Sequence, residues 1–170
     1  MSEVLEQEER RQKRPVFLTV IGILSLINIG WSLLTNFFSL IGGPMNEEEL
    51  EEAKIEMTKS INQVRGTEGM EWFEDFMRSI IDMMESTNTH HTMNVLTGIL
   101  ILLIGLVGVI FMLKGRKLGF HIYIVYSFLA AVQIYLFIAP SLLSNMIVII
   151  SLFLSGIFVL LYGLNLKWMK

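Results

Sequence analysis

From Pro15 to Ile41 the chain runs for 27 residues without Asp, Glu, Lys or Arg, as PVFLTVIGILSLINIGWSLLTNFFSLI. A membrane span needs about 20 apolar residues, so this run can cross a bilayer with length left for tilt. Pro15 suits a first helical turn, where a missing N–H costs nothing, and Gly42-Gly43-Pro44 stops the run. Three similar stretches follow. Val95 to Leu113 holds fifteen Val, Leu, Ile, Phe or Met residues in nineteen. At about −0.3 to −0.6 kcal/mol for each central residue of that kind, insertion is favoured by several kcal/mol. Leu118 to Ile138 is the third stretch and Leu142 to Leu166 the fourth, with Pro140 between them. Charged residues make up 17% of the chain, against about 25% in an ordinary soluble domain. A soluble globule and a disordered chain are both poor solutions for such a sequence.

The basic residues set an orientation. Arg10, Arg11, Lys13 and Arg14 precede the first span, Lys114, Arg116 and Lys117 join the second to the third, and Lys167 and Lys170 follow the fourth. With both termini in the cytoplasm, every cluster falls on the inner side. Residues 44–90, with twelve acids and four bases, then fall outside. Trp168 and Tyr162 sit where an inner interfacial belt needs them. The first span reads as an anchor. Its apolar run exceeds a signal h-region, no small-x-small site follows it, and Arg10-Arg11 lacks the apolar sequel of a twin-arginine signal.

The outer segment predicts two helices. In 46–65, Asn46 is an N-cap, Glu47 to Glu49 favour the first turn, and Leu50, Ala53, Met57, Ile61 and Val64 form one stripe ended by Gly66. A second helix is expected from about Glu68 to Ser86. A hairpin of about 45 residues buries too little surface to stand alone. Its apolar excess makes Trp72, Phe73, Phe76, Met77 and Ile80 the candidate docking face. The methionines here, with His90 and His91, form a soft set that Cu(I) would accept. Filling of an irregular interface explains Met better, and adjacent histidines on a helix point apart. His90-His91 is read as a solvated linker, and no metal ligand is assigned.

No ionised residue lies within any span, which argues against a proton-coupled pump. His121, four residues after Lys117, reads as an interfacial anchor. Ser25, Asn28, Ser32, Thr35 and Ser39 are spaced 3, 4, 3 and 4 apart, so one face of the first span is polar. Such a seam should face protein or water, either as a packing face or as the lining of a cavity with Asn28 deepest. Gly98, Gly105 and Gly108 offer a close-approach surface on the second span, and Ser144, Ser151, Ser155 and Tyr162 a seam on the fourth. Gly115 and Gly119 read as a tight turn. With no cysteine in the chain, thiolate chemistry and cysteine-ligated metals are excluded. HExxH, GxSxG, P-loop and GxGxxG signatures are absent. Nucleic-acid binding lacks a basic face. Glu47 to Glu52 is a solvated helix face without calcium-loop geometry. The external segment has no glycosylation sequon, which leans toward a bacterial membrane.

Two phrases carry a resemblance. RPVFLTVIGILSLINIGWSLL at the first span and MLKGRKLGFHIYIVYS between the second and third resemble small uncharacterised four-span inner-membrane proteins of Bacteroidota. The likeness covers about a third of the chain. It implies a diderm inner membrane, with the outer segment in the periplasm, and it brings no activity and no catalytic residue.

The expectation is thus an all-α membrane protein, a four-helix transmembrane bundle with an extracytoplasmic amphipathic hairpin between spans 1 and 2. The parts are a cytoplasmic N-terminal tail at 1–14, spans at 15–43, 92–113, 118–138 and 142–166, and a periplasmic acidic hairpin at 44–91. A basic cytoplasmic loop lies at 114–117, a short periplasmic loop at 139–141 and a cytoplasmic tail at 167–170. The expected role is a non-catalytic accessory subunit of a larger inner-membrane complex, without a cofactor. Its partners are other integral membrane subunits and the bilayer, with self-association left open. The alternatives are a small channel or transporter component with a path along the first span, and a periplasmic lipid- or metal-binding sensor.

Overall fold

Pro15 takes φ −54° and leads into the first helix, α1, Val16–Gly42. Gly43, at φ +76°, is in the left-handed region where L side chains are strained, and it turns the chain out of the helix. The computed structural model describes residues 15–170. The N-terminal tail, with Arg10, Arg11, Lys13 and Arg14, lies outside the described residues.

Helix α2 spans Glu47–Val64. Asn46 Oδ1 accepts from the Glu49 N–H at 2.8 Å, and Glu49 Oε2 accepts from the Asn46 N–H at 3.1 Å. That reciprocal pair satisfies two donors a helix start otherwise leaves open. Helix α3 spans Glu71–Thr89. It starts three residues later than Glu68, because Thr67–Met70 closes a turn with Gly69 at φ +84°. It also runs past Ser86, since nothing in Thr87, Asn88 or Thr89 breaks an α-helix.

His90 alone separates α3 from α4, His91–Leu113. A turn through Gly115, at φ +75°, leads to α5, Lys117–Val132. There the chain tightens into a 3-10 turn over Gln133–Leu136. Past Pro140 comes α6, Leu142–Gly163, capped reciprocally by Ser141 and Ser144. The described residues form helices and no strands. Four helices are long and apolar enough to cross a membrane: α1, α4, α5 with its 3-10 turn, and α6.

The order of packing follows the small residues. α4 lies against both α1 and α5, α5 lies against α6, and α1 meets α6 only sparingly. The α4–α5 crossing is close. A Cβ built on Gly119 would stand 2.5 Å from the Met112 nitrogen and 2.6 Å from the Gly108 oxygen. Gly115 thus serves the expected turn, whereas Gly119 serves a helix crossing that the GxxxG spacing alone did not reveal. Gly105 leaves room for the Tyr126 ring, and Gly22 for Leu113.

The core gathers Leu18, Ile21 and Ile29 of α1 with Val109 and Met112 of α4, Tyr123 of α5 and Tyr162 of α6. Met169 joins them at 2% exposure. Of residues 167–170, expected as a tail, Met169 is therefore packed in the core while Lys167 and Lys170 stay exposed. The Lys117 N–H donates to the Lys170 carbonyl at 3.0 Å, and the Lys170 N–H donates to the Gly115 carbonyl at 2.7 Å. These backbone bonds tie the segment beneath the basic turn, and the Trp168 ring packs over Gly115.

Candidate functional site

The polar seam on α1 is divided among three environments. Near one end, Ser25 is buried and accepts from the Tyr162 hydroxyl at 2.9 Å. At the other end, Ser39 Oγ and His91 Nε2 lie 3.0 Å apart and join α1 to the start of α4. His91 is therefore engaged, and the solvated linker expected at His90-His91 is replaced by a helix junction. Between these ends the seam is open. Asn28 is exposed, Ser32 is half-buried and donates to Asn28 Oδ1 at 3.5 Å, and the exposed Thr35 donates to its own helix at the Trp31 carbonyl.

Asn28 stands on the rim of a cavity of about 200 Å³ between α1, α5 and α6. Ser25, Ser127 and Ser155 supply hydroxyls to its wall, and Tyr123, Tyr126 and Phe158 supply rings. The Tyr123 ring on the cavity wall meets the Tyr162 ring edge to face at 4.8 Å. Ser127 Oγ is buried without a hydrogen bond of ordinary geometry, and the Tyr123 hydroxyl is its polar neighbour. In a low-dielectric interior an unmet hydroxyl costs about 1–3 kcal/mol, so this group calls for a partner.

Sequence spacing found Ser25, Asn28 and Ser155 but not their companions on α5. Tyr123 and Ser127 are four residues apart and share a helix face, which was a legible signal. Ser127 is the one serine of the third span, so no run of like residues drew attention to that face. Asn36 was also missed. Its Nδ2 donates to the Ser32 carbonyl at 2.8 Å, and its Oδ1 lies against Gly98, near Gln133.

On α3, the candidate docking residues divide too. Trp72 is 62% exposed, whereas Phe73, Phe76, Met77 and Ile80 are half-buried. α3 rests on α2 and on α6, and those contacts take up part of its apolar face. Trp72 and Phe73 meet edge to face at 5.9 Å. Lys54 of α2 pairs with Glu51 at 2.9 Å and reaches Glu85 of α3 at 3.7 Å. Its ammonium is held above the ordinary lysine value, chiefly by the hydrogen bond to Glu51.

The base of the hairpin is clamped. Asn88 Oδ1 accepts from the Met45 N–H at 2.7 Å, and Asn88 Nδ2 donates to the Met45 carbonyl at 3.1 Å. Beside the clamp is a cavity of about 380 Å³ lined by Met45, Ile80, Met83, Met84 and His91. Here the methionines line an interface between helices, while His90 packs near the Phe137 ring at 6.0 Å. Among the described residues, no group of three or more His, Asp and Glu side chains is placed to hold a metal ion.

No curated protein and no solved structure matches the chain. A family model does match, over residues 12–164, which is most of its length. The chain belongs to the family described as a domain of unknown function, DUF8777.

Proposed function

We propose that this protein is a non-catalytic accessory subunit of a bacterial inner-membrane assembly, with both termini in the cytoplasm and the hairpin in the periplasm. One observation carries the reading: Trp72 stands 62% exposed on a helix outside the spans. An indole left in water forfeits its large apolar surface, and such residues anchor interfaces. Glu71, Glu74 and Asp75 surround it in sequence. The fitting partner is therefore another integral membrane subunit that offers an apolar pocket rimmed by Lys or Arg.

The sequence alone suggests Phe73→Asp with Phe76→Asp as the disrupting change. Both rings are half-buried, so those charges would also unsettle the hairpin. Trp72→Glu is the cleaner probe. It should release co-purifying membrane subunits after gentle extraction from the native membrane while thermal stability stays unchanged. Undiminished co-purification from the Trp72→Glu strain sinks the reading. Protease added to spheroplasts should cut residues 44–90 and spare both ends of the chain. A path along α1 is the weaker reading, because Ile29, Val109, Tyr123 and Tyr162 fill the centre of the bundle.

A further inference from the structure

We propose that the cavity between α1, α5 and α6 binds the neutral, carbonyl-bearing headgroup of an amphiphile dissolved in the membrane. Depth is the first argument. Asn28, Ser127 and Ser155 each lie within one turn of the middle of their spans, Val16–Gly42, Lys117–Leu136 and Leu142–Gly163. The site is thus at the bilayer midplane, where no phosphate headgroup comes to rest.

Charge is the second argument. The lining has no Asp, Glu, Lys or Arg. A charged guest would be left without a counter-ion in a low-dielectric site, so the guest is neutral.

Hydrogen-bond inventory is the third. Ser127 Oγ is buried and makes no hydrogen bond of ordinary geometry, with the Tyr123 hydroxyl as a polar neighbour. Within the described residues, neither the Asn28 amide N–H groups nor the Tyr126 hydroxyl makes a hydrogen bond. The wall therefore carries spare donors, and spare donors select an acceptor such as a ketone or ester carbonyl. Shape is the fourth. About 200 Å³ is below the usual range for a drug-sized ligand and admits a headgroup alone. Asn28 and Leu154 are exposed at its rim, so an attached apolar chain has a sideways exit into lipid where α1 and α6 touch little.

Two membrane sources have this chemistry, an isoprenoid quinone and a diacylglycerol. The experiment places full-length protein in phosphatidylcholine nanodiscs doped with a short-chain menaquinone or with dioleoylglycerol. Native mass spectrometry then reads what stays bound. Wild type should keep one equivalent of a doped lipid above the phosphatidylcholine background. Retention of the quinone alone assigns a flat ring against Tyr123 and Tyr126. Retention of the glycerolipid alone assigns an ester carbonyl, and equal retention assigns the carbonyl without ring selection.

Ser155→Phe fills the cavity and should abolish retention. Asn28→Leu removes an exposed amide without disturbing the core and should weaken it about tenfold, the scale of one or two hydrogen bonds. Background-level retention by wild type overturns the proposal and leaves a water-filled cavity. So does unchanged retention by both variants. Loss of a dimer in Asn28→Leu, with no lipid bound by wild type, also overturns it and assigns the rim to a second copy. Trp72→Glu should leave lipid retention intact, so this test and the docking test fail separately.

Discussion

The Tyr162 hydroxyl donates to Ser25 Oγ across 2.9 Å, and the Ile21 carbonyl shares its proton at 3.2 Å. This bond joins α6 to α1, two helices that otherwise meet little. Tyr162→Phe keeps the ring and removes the bond, leaving Ser25 free to turn to its own helix. The expected loss is about 0.5–1.5 kcal/mol. Tyr162→Ala also removes the packing against Tyr123 and should cost about 3–5 kcal/mol. Steric-trap unfolding in bicelles separates the two. A Tyr162→Phe variant as stable as wild type would mean the hydroxyl contributes nothing, and equal losses would mean the ring packing contributes nothing.

Gly119→Ala tests the α4–α5 crossing. The added methyl meets backbone atoms of Met112 and Gly108 at 2.5 and 2.6 Å, and backbone cannot swing aside. The helices must separate, at about 1–3 kcal/mol or more. Gly30→Ala on α1 meets nothing within 4 Å and should be neutral or mildly stabilising. Comparable melting of the two variants would remove the close crossing.

Asn88→Ala should free the loop between α1 and α2. Both backbone groups of Met45 lose their partner. Local opening should become easier by about 1–2 kcal/mol, read as faster amide exchange at Met45 with α4 and α5 unchanged.

Met169→Asp should destabilise the basic end. The side chain sits in the core beside Leu18, Met112 and Tyr162. A carboxylate there has no counter-ion among those neighbours, and truncating a buried Met alone costs about 2–5 kcal/mol. Lys167→Asp, at an exposed position, is the control and should unfold like wild type.

Lys54 gives a pH dependence of known sign. Its folded value lies above the ordinary 10.5. The group therefore favours the folded hairpin at every pH below that value and lets go as pH rises through the folded one. The pair lies at the protein surface, so its effect is small and salt-sensitive. With the intrinsic base catalysis of exchange divided out, amide protection in α2 and α3 should be flat from about pH 6 to about pH 9 and fall only in strong alkali. Lys54→Met should abolish that alkaline step.

The spans were legible because hydrophobic length is a one-dimensional property. Pro15, Gly43 and Pro140 punctuate the chain where sequence rules expect, and the Asn46–Glu49 cap is local chemistry four residues wide. Contacts between distant residues were not legible. Gly119 looked like part of a loop because its partner, Gly108, is identified only once the helices cross. Met169 looked like a tail because backbone bonds from Lys170 to Gly115 and Lys117, 55 and 53 residues earlier, leave no trace in periodicity. The cavity was half readable. Ser25 and Asn28 declared themselves by spacing, while Ser127 needed α5 rotated toward them. Trp72 lies off the main apolar row of its helix in sequence, and the contacts of α3 with α2 and α6 leave that ring exposed while Ile80 is half-buried.

The Tyr162–Ser25 stitch between α6 and α1 acts like the spring of a clothes-peg. Squeezing or heating spreads the jaws while the spring holds, so the earliest loosening should start at the hairpin side and stop at Tyr162. Such a shape can admit a greasy visitor sideways and let it go again without any helix unwinding.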